Sequence, residues 1–412
     1  MDWSVLFILI IEALFAYWLL YRAGAMRTRV QLIAGALLLS AAFVLRYLAL
    51  PHETADYRDF LTRWVQWFRD NGGFRALKSS IGNYNIPYLY FLAAFSYLPV
   101  RDLFLIKLLS IFFDVLLAWS VCRIVSLFRE SPALRLLSFL LVLLLPTVFL
   151  NGAYWGQCDS IYVALALLGY SCALRDRPVL SMVCIALSFS FKLQAVFLMP
   201  IYAVFLFHGK IRWKHLPVFP ATYVLTVLPA VLAGRPFAET VTLYFDQLDS
   251  VGTGLNYNSP SIFSFLDFHL HSADPELLTR LGILAAFFFM AVILLLCLIR
   301  RRSLNAKALI LAAAVLALGI PFLLPRMHER YFFGADLLTL TACFLLPEAI
   351  PAALLTEFAS FLGYYAYLKG RYLLLMRWGA VCLIAALGLL LFLFFRELFA
   401  APVRKDYPAG EK

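Results

Sequence analysis

Apolar runs recur along the whole chain, many of them near the 20 or so residues that an α-helix needs to cross a bilayer, and short polar breaks separate them. Of the 412 residues, 63% are hydrophobic and 14% charged. A soluble domain has about 45–50% apolar and about 25% charged residues. No polar block is long enough to form one, so the chain reads as a single all-α, polytopic transmembrane domain over residues 1–412. The formal net charge of +11 is not a nucleic-acid signal. The basic residues fall in short clusters between apolar runs, as the positive-inside rule requires, where they can also meet anionic membrane lipid.

The seven cysteines include no CxxC pair, are odd in number and lie mostly inside apolar runs. They read as small core residues and not as a disulfide framework or a metal site. Residues 3–21 lack a basic leader and a small-residue cleavage site, so they read as a retained helix. No N-x-[ST] acceptor without proline occurs, which favours a bacterial membrane over a secretory-pathway one.

The arginines at 22, 27 and 29 follow the first run and place its end in the cytoplasm. The run 30–50 then crosses outward and delivers HETADYRDF (52–60) to the non-cytoplasmic face. Between Asp59 and Asp70 the apolar residues Phe60, Leu61, Trp64, Trp67 and Phe68 form one helical stripe, the pattern of an interfacial helix lying flat on the bilayer. This first outer loop runs over 51–102 and takes in the short apolar run 86–98. Crossings at 102–128 and 134–150 lead to NGAYWGQCDS (151–160). Short segments at 161–174, 179–190 and 195–207 follow, of the kind that lines a cavity at a polar site. After a crossing at 216–233 comes a second long outer loop, 234–275, containing Asp246, Asp249 and NYNSP (256–260). Crossings at 278–299 and 304–324 precede RMHERY (326–331), and runs at 334–346, 350–367 and 373–395 complete about 13 helices. A tail with Arg404 and Lys405 is then cytoplasmic.

On this topology Asp56, Trp155–Asp159, Lys192–Gln194, Asn256–Ser259 and Arg326–Tyr331 all reach one outer face. Ionisable groups at membrane depth are costly, so they are functional candidates. Transfer of a group to a hydroxyl needs a carboxylate to take the proton; Asp56 can do this, or Asp56 and Asp59 can merely cap the amphipathic helix. Asp159 either caps the next helix or orients a substrate. Trp155 either stacks on a sugar or packs at the interface. Lys192 either snorkels or holds a phosphate. Arg326, His328 and Arg330, with Glu329 and Tyr331, are three potential cations where the positive-inside rule disfavours cations. Binding a phosphate leaving group accounts for them. No metal box and no glycine-rich nucleotide loop occurs, and there is no room for a nucleotide-binding domain.

From about Leu45 to Leu340, and on Asp56-Tyr57, YWGQCDS, FKLQAVFLMP (191–200) and MHERYFF (327–333), the chain resembles the GT-C superfamily of polyprenyl-phosphate-sugar-dependent glycosyltransferases. Within it, the similarity is to the asparagine-linked-glycosylation glucosyltransferases, and more to the mannosyltransferase that adds the second mannose of GPI anchors and its bacterial relatives. The resemblance implies a GT-C-type bundle and an inverting transfer of a hexose, most readily mannose, from a polyprenyl-phosphate carrier to a glycan, glycolipid or protein acceptor. It implies Asp56 as the base and Lys192, Arg326, His328 and Arg330 on the phosphate. Tyr57, Asp59, Trp155, Gln157, Asp159, Gln194, Asn256, Tyr257, Glu329 and Tyr331 would complete the substrate site. No metal or other cofactor is expected. The alternatives are a glucose donor, or a transporter of lipid-linked glycans. The expected location is a bacterial inner membrane with the site facing the periplasm, the alternative an endoplasmic reticulum membrane with the site facing the lumen. Residues 3–21 lie outside the resemblance, and without a large outer domain the loops 51–102 and 234–275 must recognise the acceptor.

Overall fold

The computed structural model describes residues 3–400 apart from 83, 250, 251, 253 and 267–273; the side chains at 245–249, with Asp246 and Asp249, and the tail with Arg404 and Lys405 lie outside the described residues. Within that range nearly all regular structure is helical. Helices α1 (Trp3–Arg22) and α2 (Arg29–Ala49) open the chain. Thr28 starts α2 by accepting the Gln31 amide while its own amide donates to the Gln31 side chain, a reciprocal cap. The loop after α2 carries α3 (Thr62–Asp70) and α4 (Ile86–Phe95). Next come α5 (Asp102–Val125), α6 (Pro132–Leu144) and the single turn α7 (Pro146–Phe149). Then follow α8 (Asp159–Leu174), α9 (Pro178–Phe191), α10 (Ile201–His208), α11 (Val218–Leu232) and α12 (Phe237–Asp249). The remainder is β1 (Asn256–Tyr257), α13 (Pro275–Ile299), α14 (Ala306–Leu323), β2 (Met327–His328), α15 (Phe333–Leu345), α16 (Ile350–Lys369) and α17 (Met376–Phe399).

Among the described residues, seven segments have the length and apolarity of a bilayer crossing: α1, α2, α5, α11 with the turn before it, α13, α14 and α17. The pair α6–α7, bent by 49° at the break before Pro146, makes an eighth if it is one span. The other runs that the sequence offers as crossings include α8, α9 and α15, which are shorter. The 14 residues of α9 rise about 21 Å, short of the roughly 30 Å hydrocarbon core. The run expected at 195–207 is broken: a 3₁₀ turn, Leu193–Phe197, precedes the eight residues of α10. Helices α5 and α14 are mostly buried, whereas α1, α2, α11, α13 and α17 turn apolar side chains such as Leu14, Leu37, Leu225, Phe288 and Phe392 outward. One connected core reaches from Val5 to Leu398. The chain is an all-α polytopic membrane protein.

The amphipathic stripe in the loop after α2 packs against protein. Trp64 and Phe68 are buried, and the Trp64 ring meets Tyr84 edge-on at 5.5 Å. Phe60, expected on the same stripe, is exposed, because a π-turn at Tyr57–Leu61 sets it out of phase with α3.

Candidate active site

The turn after α2 is tied down from below. The Lys107 ammonium of α5 donates to the carbonyls of Ala49 at 3.1 Å and His52 at 2.6 Å, and the Thr54 hydroxyl donates to the Trp155 carbonyl at 3.1 Å. Asp56 follows, at the head of the π-turn, and makes no capping bond there. Its carboxylate turns inward. Oδ2 accepts Trp155 Nε1 at 2.9 Å and Gln157 Nε2 at 2.6 Å, and Oδ1 accepts the Tyr367 hydroxyl at 2.6 Å. A carboxylate has about four lone-pair positions. Three are taken, and the one left on Oδ1 can receive a proton.

The WGQCD segment presents these donors because of a chain reversal. A π-turn over Leu150–Trp155 ends at Gly156, whose φ of 88° suits glycine best. The amides of Gly156 and Gln157 donate to the carbonyls of Gly152 and Asn151, each at 2.9 Å. Trp155 is thereby clamped with Tyr367 stacked on it at 4.3 Å and Tyr364 edge-on at 5.7 Å. Gln157 accepts the Tyr84 hydroxyl at 3.2 Å.

Behind Asp56 lies a buried ion network. Asp159 opens α8, and its Oδ1 accepts Lys192 Nζ at 2.6 Å. Its Oδ2 accepts Asn151 Nδ2 at 2.7 Å and stands 3.7 Å from Arg330 Nε. Arg330 also pairs with Glu329 at 2.8 Å and lies 5.3 Å from the Trp155 ring centroid. Burial opposes the Arg330 charge, but Glu329 and Asp159 hold the guanidinium protonated. Burial also raises the Glu329 carboxyl, with Arg330 acting against it. Lys192 and Arg330, expected as free phosphate ligands, are already neutralised by their own carboxylates.

Arg326–Tyr331 is held by a parallel two-residue ribbon: Asn256 pairs with Met327 and Tyr257 with His328. Tyr257 stacks on the His328 ring at 4.7 Å. Burial first, and the Arg330 charge second, push the His328 imidazole down to about 4. It is therefore a neutral ring at pH 7, and not the cation that the sequence led us to expect. Arg326 enters the ribbon with φ of 62° and donates its amide to the Leu255 carbonyl at 2.7 Å. Its Nε is buried without a hydrogen-bond partner, and among the described residues no carboxylate pairs with it.

Not every expected residue joins this network. Tyr57 is buried, its hydroxyl donating to Asp102 at 3.0 Å, because the π-turn sends it away from Asp56. Asp59 is exposed on the outer side of the same turn. Asn256 closes its own turn, accepting the Ser259 amide and donating to the Ser259 carbonyl, each at 2.9 Å. Gln194 interacts with the Tyr331 hydroxyl at the edge of the site. Tyr84, Asn151, Tyr364 and Tyr367 were not anticipated. The two tyrosines of α16 are three residues apart, the spacing that puts side chains on one helix face, and that was their only signal. Among the described residues no group of three or more His, Cys, Asp or Glu side chains could hold a metal ion.

A polytopic helical bundle with a fixed carboxylate beside buried cations at one end of its helices is a candidate membrane-embedded active site. The family model for glycosyltransferase family 87 matches residues 83–325. The match spans more than half of the chain, which belongs to that family, a GT-C-like family of membrane glycosyltransferases. No curated protein matches the chain. The matched stretch includes Trp155, Gln157, Asp159 and Lys192; Asp56 and Arg326–Tyr331 flank it.

Proposed function

We propose that this glycosyltransferase moves a hexose, mannose first among the candidates, from a polyprenyl-phosphate carrier to an acceptor hydroxyl on the non-cytoplasmic face of a bacterial inner membrane. The observation that carries the reading is the Asp56 carboxylate, fixed by Trp155, Gln157 and Tyr367 with one lone pair left over. The acceptor O–H gives its proton to Asp56 Oδ1. The oxygen forms a bond to the anomeric carbon from the side opposite the leaving group, and the bond from that carbon to the phosphate oxygen breaks. The electron pair leaves on the lipid phosphate, and the configuration inverts.

The unpaired buried Nε of Arg326 supports a phosphate contact there, since a buried donor without a partner is costly. Lys192 and Arg330 act as a fixed scaffold that an incoming phosphate engages in competition with Asp159 and Glu329. Neutral His328 supplies a hydrogen bond without charge. Family membership argues for a transferase over a transporter of lipid-linked glycans. Glycan, glycolipid and protein remain the acceptor classes, and no metal or other cofactor has a part in the proposed mechanism.

The test is transfer by the purified protein in detergent, with radiolabelled polyprenyl-phosphate-mannose and, in parallel, the glucose donor, using membrane lipid extract as acceptor. Label moving from the mannose donor with wild type and not with Asp56→Asn supports the reading. Transfer from the glucose donor alone replaces the sugar, and full transfer by Asp56→Asn removes Asp56 as base.

A further inference from the structure

The end of the bundle opposite Asp56 holds a second polar constellation. A cavity of about 480 Å³ lies where α1, α5 and α8 end and α6 begins. Its walls include Arg22, Arg123, Arg135 and Arg175, with Trp18 and Trp119. Among the described residues none of these four arginines forms an ion pair with a carboxylate. The ionic neighbours that act on Arg175 include Arg123, Arg135 and Arg177, all cations.

Protein groups satisfy only part of this cluster. Arg175 donates to the Arg123 carbonyl at 3.1 Å and to the Ser126 hydroxyl at 2.9 Å. Arg135 donates to the carbonyls of Ala23 and Arg129, each at 3.3 Å. Arg123 lies 4.8 Å from the Trp119 ring centroid. The Nε atoms of Arg123 and Arg175 are nonetheless buried with no hydrogen-bond partner. Basic residues at this end are what the positive-inside rule asks for, but that rule is met by arginines in open water. It does not require four of them to converge on one cavity with donors left over. Helix C-termini offset some of the charge, at about half a unit each. Three such ends, with the α6 N-terminus adding about half a charge back, leave four guanidinia with an excess of about three positive charges, ample for the single negative charge of a lipid phosphodiester or for a more highly charged phosphate.

The aromatic walls set the depth. Trp18 is half exposed on α1, on a face that also exposes Leu14 and Tyr21, and tryptophans of this kind sit at the headgroup level of a bilayer. Basic pockets between helices at that level suit phosphate-bearing headgroups, and the planar guanidinium fork matches phosphate oxygens. We propose that this cavity binds the phosphate of an anionic lipid headgroup, on the leaflet opposite the Asp56 site. A free phosphate or pyrophosphate ion has the same chemistry, and the experiment separates the two sources.

Native mass spectrometry of the full chain, released from mixed micelles, counts retained lipids. Phosphatidylglycerol is the probe, phosphatidylcholine the neutral-headgroup control and inorganic pyrophosphate the competitor. Wild type is expected to retain one phosphatidylglycerol at least tenfold over phosphatidylcholine, and pyrophosphate to reduce that retention. Arg123→Gln with Arg175→Gln should lower the preference at least fivefold. Should that double variant fail to fold, Arg22→Gln at the exposed rim should lower it at least twofold. Equal retention of both lipids by wild type, or an unchanged preference in folded variants, would overturn the proposal. Pyrophosphate binding that is lost in the variants, without any preference for phosphatidylglycerol, would overturn the lipid assignment and keep a phosphate site.

Discussion

The Tyr367 hydroxyl donates to Asp56 Oδ1 at 2.6 Å across 311 positions of sequence. The same tyrosine ring stacks on Trp155, whose indole donates to the other oxygen. Asp56 is thus held by the WGQCD turn and a late helix together. Tyr367→Phe keeps the stacked ring and removes one hydrogen bond. A bond to a charged group contributes about 1.5–3 kcal/mol to stability, so the thermal midpoint in detergent should fall by an amount of that order, and kcat should fall as Asp56 loses one of its three donors. An unchanged kcat would show that the remaining donors fix Asp56 unaided.

Asp56→Asn is nearly isosteric and removes the proton acceptor. General-base catalysis contributes about 10²–10⁴-fold, and the transfer rate should drop by that factor. Binding of the lipid-phosphate donor, measured by retention on the immobilised protein, should stay within about threefold of wild type if Asp56 acts on the acceptor.

Asp159 neutralises Lys192 at 2.6 Å in a buried site. Breaking a buried pair from one side costs about 3–5 kcal/mol. Asp159→Ala should therefore lower the thermal midpoint strongly, and Lys192→Met added to it should restore part of the loss. No recovery in the double variant would mean that Asp159 acts mainly through Asn151 and Arg330.

The pH dependence of His328 has a definite sign. Its folded value, about 4, lies below the ordinary 6.5. Between those values the unfolded chain binds the extra proton and the folded chain does not, so stability falls as pH drops from 6.5 toward 4. Above 6.5 the group adds no slope. Thermal midpoints across pH 4–7 should decline more steeply for wild type than for His328→Gln. Parallel curves would show that the imidazole titrates normally in the folded protein.

Gly363 is where α16 meets the ribbon. A Cβ there would stand 2.9 Å from the Asn258 carbonyl oxygen and 3.0 Å from Glu329 Cβ. Overpacking of this kind costs about 1–3 kcal/mol. Gly363→Ala should push α16 outward, lower stability by that amount and weaken transfer, because Tyr367 is one turn further along. An unchanged rate would mean that α16 gives way without moving Tyr367.

Much of this architecture was legible in the sequence, because burying apolar length in a bilayer leaves the chain few choices. The crossings around α1, α2, α5, α13, α14 and α17 could be read from run length. So could the convergence of Asp56, WGQCD, Lys192 and MHERY at one end of the helices. What was hidden depends on local phase and on pairing. The π-turn at Tyr57–Leu61 shifted Phe60 off the Trp64 stripe and sent Tyr57 into the core, and no periodicity announces such a turn. The pairing of Lys192 with Asp159, and of Arg330 with Glu329, reduced the free positive charge that composition alone implied. Tyr364 and Tyr367 lay in a run read only as a membrane crossing, so nothing marked their hydroxyls as site groups.

The ribbon between Tyr257 and His328 and the reach of Tyr367 back to Asp56 also bear on how the protein is made. Membrane helices enter the bilayer largely in the order of synthesis. Asp56 emerges after the second helix, when neither the WGQCD turn nor α16 yet exists. Its Oδ1 gains a partner only once the sixteenth helix has docked. The last of the three hydrogen bonds that hold the Asp56 carboxylate is therefore made late in assembly, after α16 has been synthesised and docked.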